Sequence, residues 1–183
     1  MGAGDLSAAL WQERRQLELL LFRLETQRLH IAAGNVQWLS FTASEVESVL
    51  DRLRFEALAR NVDSAAVAAE WGLPAQATLT ELSAGAPAGP WAEILREHID
   101  SLRSLLAQLK EAARANEDAL SHQEPSVRSG AVHGEGGEGA SLPPDPAQAL
   151  DQLTTAENIE YALAVLRRTS QPLLARYLDG SRD

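Results

Sequence analysis

The sequence predicts an all-α fold, an elongated antiparallel helical bundle built around a coiled-coil hairpin, and three observations carry that prediction. Leu10, Leu17, Leu24 and Ile31 recur at seven-residue spacing, the seam of a long helix packed on other helices. Ala, Leu, Glu, Arg and Gln dominate, and these favour helix. Three Phe, two Tyr and few Ile or Thr leave little material for strands. With 45% hydrophobic residues in 183, there is enough apolar material for one domain, or one domain with an appendage.

The first helix is expected over residues 5–33, with Asp5 or Ser7 as cap and Leu6, Leu20 and Leu21 flanking the seam. Such a helix is ~43 Å long at 1.5 Å per residue, too long to find its partners inside a small globule. Gly34 and Asn35 tolerate the left-handed conformation that ends helices. A second helix is expected over 36–61, with Leu39, Ala43, Val46, Leu50, Leu53 and Ala57 on its stripe. The short connection favours an antiparallel hairpin, which buries both stripes at once. Residues 65–71 read as a separate short helix stopped by Gly72 and Pro74. Residues 78–84 read as another, with Thr78 and Glu81 at capping-box spacing. Gly85, Pro87, Gly89 and Pro90 make a hinge, and Pro90 suits the start of a helix over 91–120. The stripe of that helix is Trp91, Leu95, His98, Leu102, Leu105, Leu109, Ala112 and Asn116. Its two polar members carry a choice. Asn116 either fixes helix register from a buried position or marks an already exposed helix end. Residues 121–146 turn Gly- and Pro-rich and read as a flexible linker. A last helix over 147–178 carries Leu150, Leu153, Leu163, Leu166, Leu174 and Tyr177, and Pro172 is expected to kink or interrupt it. The chain thus divides into a bundle over 1–120, a linker over 121–146 and a C-terminal helix over 147–183.

Several function classes are disfavoured. A net charge of −10 argues against nucleic acid as main partner. There is no cysteine, so neither a disulfide framework nor a thiolate metal site is available. No apolar run approaches a membrane span, and the opening residues lack the pattern of a signal peptide, so a cytoplasmic protein is expected. His30, His98, His122 and His133 are scattered and lack the spacing of helical zinc sites. Glu45 with Glu47, and Glu93 with Glu97, lie between stripe positions and read as solvated helix faces. No phosphate-binding loop or nucleophile elbow is present. The reading is a protein that is not an enzyme and needs no cofactor or metal. What remains is apolar surface. Trp91 falls on a stripe and reads as core, whereas Trp11 and Trp38 sit beside theirs and suit an interface as well as a core.

The opening run resembles the start of the flagellar export chaperones of the FlgN family, its actinobacterial branch most closely. It is carried by Leu6-Ser7, Leu10-Trp11, Glu13-Arg14, Leu17-Glu18, Leu20-Leu21-Phe22 and Leu24-Glu25. The likeness continues through Gly34, Trp38-Leu39, Glu45-Val46-Glu47, Val49-Leu50, Leu53-Arg54, Glu56 and Leu58. It ends with Trp71-Gly72-Leu73, Thr78-Leu79, Glu81-Leu82, Ala86-Pro87, Pro90-Trp91, His98 and Asn116, and so covers about residues 6–120. The resemblance implies a helical bundle that binds a hook-associated protein of the hook–filament junction before type III export. In that family the client's disordered terminal helix is the usual target, and the flagellar export apparatus is a second expected contact. Long apolar stripes on an acidic bundle suit such helix-in-groove recognition.

After Leu120 the chain departs from this pattern. Arg168, Gln171-Pro172, Leu174 and Tyr177-Leu178 instead faintly resemble the C-terminal end of a junction protein. The last helix is therefore either an ordinary fourth bundle helix or a lid folded into the client groove. The expected partner-binding groove is Trp91, Leu95, Leu102, Leu105 and Leu109 on the third long helix, with Leu163, Leu166 and Leu174 on the last. The alternative is a homo-oligomeric coiled-coil scaffold without a client, self-associating through Leu10, Leu17 and Leu24.

Overall fold

The computed structural model describes residues 2–130 and 146–180. Helix α1 spans Ala3–Ala32, and a 3₁₀ turn at Val36–Trp38 leads into α2, Leu39–Glu70. Then come α3, Leu79–Ala84; α4, Trp91–Gly130; α5, Pro146–Leu166; and α6, Pro172–Asp179. No strand occurs among the described residues, as the composition predicts.

Helix α1 starts slightly earlier than the side-chain caps suggest. Gly2 is the cap residue, and the Asp5 carboxylate reaches back to accept its backbone N–H at 2.9 Å. That places a negative charge in the first turn, where the helix dipole favours it. The buried residues of α1 alternate at intervals of three and four: Ala3, Leu6, Leu10, Glu13, Leu17, Leu20, Leu24, Gln27 and Ile31. This is heptad packing, and it is used within the chain, because α1 lies against both α2 and α4. Leu10, Leu17 and Leu24, the seam of the self-associating alternative, are thus fully buried already.

Gly34 adopts φ 71° and turns the chain, as its position predicts. The cross-links Glu13 to Arg60, Arg23 to Glu45 and Gln27 to Thr42 run in opposite sequence directions, so α1 and α2 form the antiparallel hairpin. Helix α2 differs from expectation: it runs unbroken to Glu70, so residues 65–71 are its last turns and not a separate helix. The stripe fades near Asn61 only because its next members, Arg60 and Ser64, are polar, and both are nevertheless buried. The alanine-rich stretch that follows has no reason to leave the helix until Gly72, at φ 71°.

Helix α3 opens with the capping box. The Thr78 hydroxyl accepts from the Glu81 N–H at 3.1 Å, and the Glu81 carboxylate accepts from the Thr78 N–H at 2.7 Å. Helix α4 follows Pro90, as expected, and continues to Gly130, ten residues past the expected end at Leu120. Its contacts to α1 rise together in sequence: Ser7 meets His98, Leu24 meets Asn116, and Ile31 meets Gln123. It therefore runs parallel to α1. The Gly-rich stretch 131–145, with His133, lies outside the described residues.

The C-terminal helix is interrupted ahead of Pro172, which stands at the first position of α6. Arg167, just after α5, faces Glu117 of α4, and Asp179 of α6 pairs with Arg103, so this segment descends antiparallel to α4. The four layers run up, down, up, down. Ile159, Ala162, Leu163, Val165, Leu166, Leu174 and Leu178 join the common core, while Leu150 and Leu153 in the first half of α5 and Leu173 in α6 stay exposed.

Candidate functional site

Seven of the eight expected groove residues lie in the closed core. Leu95, Leu102, Leu105 and Leu109 are buried on α4, and Leu163, Leu166 and Leu174 are buried on α5 and α6. Trp91 is half-buried against the core near Gly4. Leu109 and Leu166 meet at an open groove of about 610 Å³ between α4 and the α5–α6 joint. Leu106, Ala113, Pro172 and Ala175 complete its apolar walls, and Lys110, Arg114, Arg167 and Glu117 line it as well. The other expected residues do not line this groove. The leucines among them are buried in the common core that α4 shares with α1, α3, α5 and α6.

A few polar contacts hold α5 and α6 down. Tyr161 donates to the Glu47 carboxylate at 2.8 Å, and Arg168 pairs with the same carboxylate. Together they hold the Glu47 carboxyl below the usual carboxylate range. The Thr80 hydroxyl donates to the Leu178 carbonyl at 2.6 Å. The deepest contact is Tyr177. Its ring lies 4.2 Å from the Arg60 guanidinium carbon, and its hydroxyl is 3.1 Å from that of Ser64. Burial pushes its phenol up to about 12.

Arg60 is itself buried, and one of its nitrogens donates to both oxygens of Glu13, at 2.8 and 2.9 Å. Burial pushes the Glu13 carboxyl above its ordinary value, and the charge and hydrogen bonds of Arg60 only partly pull it back. A second polar chain ties α4, α1 and α2 together. Asn116 donates to the Leu24 carbonyl at 2.8 Å and to Gln27 at 3.2 Å, and Gln27 donates to Thr42 at 3.3 Å. Asn116 is fully buried, so of its two readings the structure selects the buried one.

His98 is buried at the α1–α4 seam, 3.0 Å from the Ser7 hydroxyl and edge-on to Trp11. Burial lowers its pKa, the Arg14 charge lowers it further, and Glu97 opposes both. The folded chain therefore resists a proton that the unfolded chain accepts, and stability should decline as pH falls below about 6.5. His98→Gln should flatten the dependence of the urea midpoint on pH between about 6.5 and 5. An unchanged slope would assign the acid sensitivity to another group.

The surface that sequence reasoning missed is the outer side of the hairpin. All three phenylalanines of the chain are exposed, Phe22 by 56%, Phe41 by 64% and Phe55 by 68%. Leu58 and Val62 are exposed beside Phe55, and Trp38 stacks at a tilt on Phe41. Trp11 and Trp38 are about half exposed. A shallow groove between α1 and α2 is lined by residues that include Leu19, Arg23, Glu45 and Arg52, and by none of the phenylalanines. A signal existed: Phe41, Ser48, Phe55 and Val62 lie at seven-residue intervals, offset by two from the buried Leu39, Val46, Leu53 and Arg60.

The model of the FlgN family, described as FlgN protein, matches residues 1–128. This chain belongs to the FlgN family. No curated protein and no solved structure matches it. The FlgN match takes in α1, α2, α3 and all but the last two residues of α4, and it contains the whole region of sequence resemblance. FlgN proteins are flagellar export chaperones, not enzymes, and that role comes to this chain with its family. Among the described residues no helix is long and apolar enough to cross a membrane. Helices α5 and α6 fall outside the FlgN match and cover the apolar seam of the matched body.

Proposed function

We propose that this FlgN-family chain is a cytoplasmic chaperone of a hook-associated protein of the hook–filament junction. It keeps that client soluble and unassembled until the flagellar type III apparatus exports it. The family match over residues 1–128 carries the reading. The packing of α5 and α6 supports a mechanism. The matched body already accepts an amphipathic helix along its α2–α4 seam, burying Ile159, Leu163 and Leu166 there. A client's terminal helix would use the same seam, meeting Leu95, Leu102, Leu105 and Leu109 in place of Leu163, Leu166 and Leu174. In this arrangement α1 to α4, residues 3–130, form the body, and α5 and α6 form a segment that competes with client. Delivery to the export apparatus follows client binding.

Pull-down from a flagellated host lysate with the tagged full chain, followed by mass spectrometry, tests the reading. A hook–filament junction protein should be recovered at near-stoichiometric level. Recovery of the chain alone, or of other partners in its place, would overturn the client assignment.

A further inference from the structure

We propose that Arg60 and Ser64 form a seat that recognises a tyrosine in the client's amphipathic helix, and that Tyr177 of α6 fills this seat as an internal stand-in. The inference rests on the chaperone reading above and names what the body selects in a client. The seat is built from the FlgN-matched body, whereas its occupant comes from outside the match. Arg60 and Ser64 lie one turn apart on α2, and both are buried. Arg60 donates to Glu13 and, at 3.2 Å, to Asn61, and its Nε has no hydrogen-bond partner. The Tyr177 ring covers the guanidinium at 4.2 Å, a cation–π distance, and the Tyr177 hydroxyl donates to Ser64 at 3.1 Å. A leucine in this place would lose both contacts, and a phenylalanine would lose the second. A site that hydrogen-bonds a hydroxyl rejects a ligand lacking it more strongly than an apolar pocket discriminates by size.

The surroundings of the seat fix the rest of the pattern. Leu174 and Leu178 are buried beside Tyr177, whereas Leu173 is exposed. The Leu178 carbonyl accepts from Thr80, and Asp179 pairs with Arg103. Thr80 and Arg103 again belong to the matched body. The partner that fits is therefore a helix with leucine, tyrosine and leucine at positions i, i+3 and i+4 and an acidic residue next. The present occupant is poorly equipped to stay by itself. Helix α6 has eight residues, and isolated helices shorter than about 12–15 residues are marginal in water. Its anchors on the body hold it, so a longer client helix that offers the same anchors can replace it. One side of the seat is open. A groove of about 500 Å³ runs between Asn61, Ser64 and Ala77 of the body and Leu173, Arg176 and Tyr177 of α6, and it gives an incoming side chain access from solvent.

The test uses the full chain carrying Tyr177→Ala, which empties the seat, and a fluorescein-labelled synthetic peptide of residues 146–180 as the probe, followed by anisotropy. The peptide should bind this chain, and its Tyr177→Leu version should bind at least about tenfold more weakly. With Glu13→Leu and Arg60→Met added to the chain, that gap should shrink to about threefold or less. A ring that merely fills space would keep its advantage there. Ser64→Ala, a milder change, should narrow the gap between the parent peptide and its Tyr177→Phe version. A chain that takes up no peptide has a seat that never opens, and this would overturn the proposal, as would equal binding of the tyrosine and leucine peptides. The junction protein recovered by pull-down supplies the second arm. Tyrosine-to-leucine substitution in its terminal helix should weaken binding to the full chain about tenfold. Binding indifferent to that change would overturn the seat and leave the chaperone reading intact. Discrimination between the peptides with no junction protein recovered would remove the client assignment and leave the seat as the reader of another tyrosine-bearing helix.

Discussion

Arg60→Ala is expected to destabilise the chain by about 3–5 kcal/mol, the typical cost of removing one partner of a buried ion pair. Arg60 holds together three elements: α2, which carries it; α1, through Glu13; and α6, through the ring of Tyr177. Without the guanidinium, the Glu13 carboxylate would be left buried among leucines with no countercharge. For a chain of this size, each kcal/mol corresponds to roughly 2–4 °C in melting temperature, so a loss of about 10 °C is expected. The variant should also acquire a new pH dependence. The Glu13 carboxyl is raised above its ordinary value even with Arg60 present, and removing Arg60 raises it further. A carboxyl raised in the folded state contributes stability that is present below its unfolded value of about 4.5 and lost as pH rises through the folded value. Arg60→Ala should therefore be less unstable, relative to the parent, at pH 5 than at pH 7. The pair Glu13→Leu with Arg60→Met, which leaves no orphan charge, should recover most of the loss. Urea titrations followed by circular dichroism decide the matter. A single variant within about 1 kcal/mol of the parent would mean that the pair is open to water.

Removing residues 147–183 is expected to tighten client binding by about 10- to 100-fold. That range corresponds to a segment that occupies the seam roughly 90–99% of the time and must leave before a client can enter. Its body-side contacts are apolar faces of α2 and α4 that a client helix could use equally well. The rim contacts are few and nameable, Glu47 with Tyr161 and Arg168 chief among them. The shortened chain exposes Leu105 and Leu109, and it could lose its fold for that reason alone. Tyr161→Phe with Arg168→Gln in the full chain avoids this difficulty. It releases the rim while keeping the apolar contacts, and a several-fold gain in client affinity is expected. Calorimetry with the junction protein recovered by pull-down reads both effects. A folded shortened chain that binds no better, or a rim variant without effect, would make α5 and α6 permanent members of the bundle.

Much of the architecture was legible because its signals are local. Gly34 and Gly72 end helices through their own backbone freedom, Thr78 and Glu81 cap α3 reciprocally, and Pro172 opens α6 at the one helical position that suits it. Seven-residue leucine spacing requires a packed face wherever it occurs, so α1 and α4 could be placed to within a turn at their starts. The end of α4 was not legible, since the backbone stays helical through residues 121–130 in spite of their polar composition. Nor was the continuity of α2, because Arg60 and Ser64 occupy stripe positions, and a polar residue can be buried only if a partner such as Glu13 or Tyr177 arrives from another element.

By itself the sequence determined that this chain is helical, where most of its helices turn, and which family's pattern it carries. Only the tertiary structure decided what each stripe touches. It made α4 parallel to α1, buried seven of the eight expected groove residues in the common core, and left Phe22, Phe41 and Phe55 exposed. The physical reason lies in the hydrophobic effect, which is non-directional: apolar spacing specifies that a face will be buried, and the same spacing serves a core, a client groove or a second copy equally well. Which of these a stripe meets depends on where the remaining helices find room to pack.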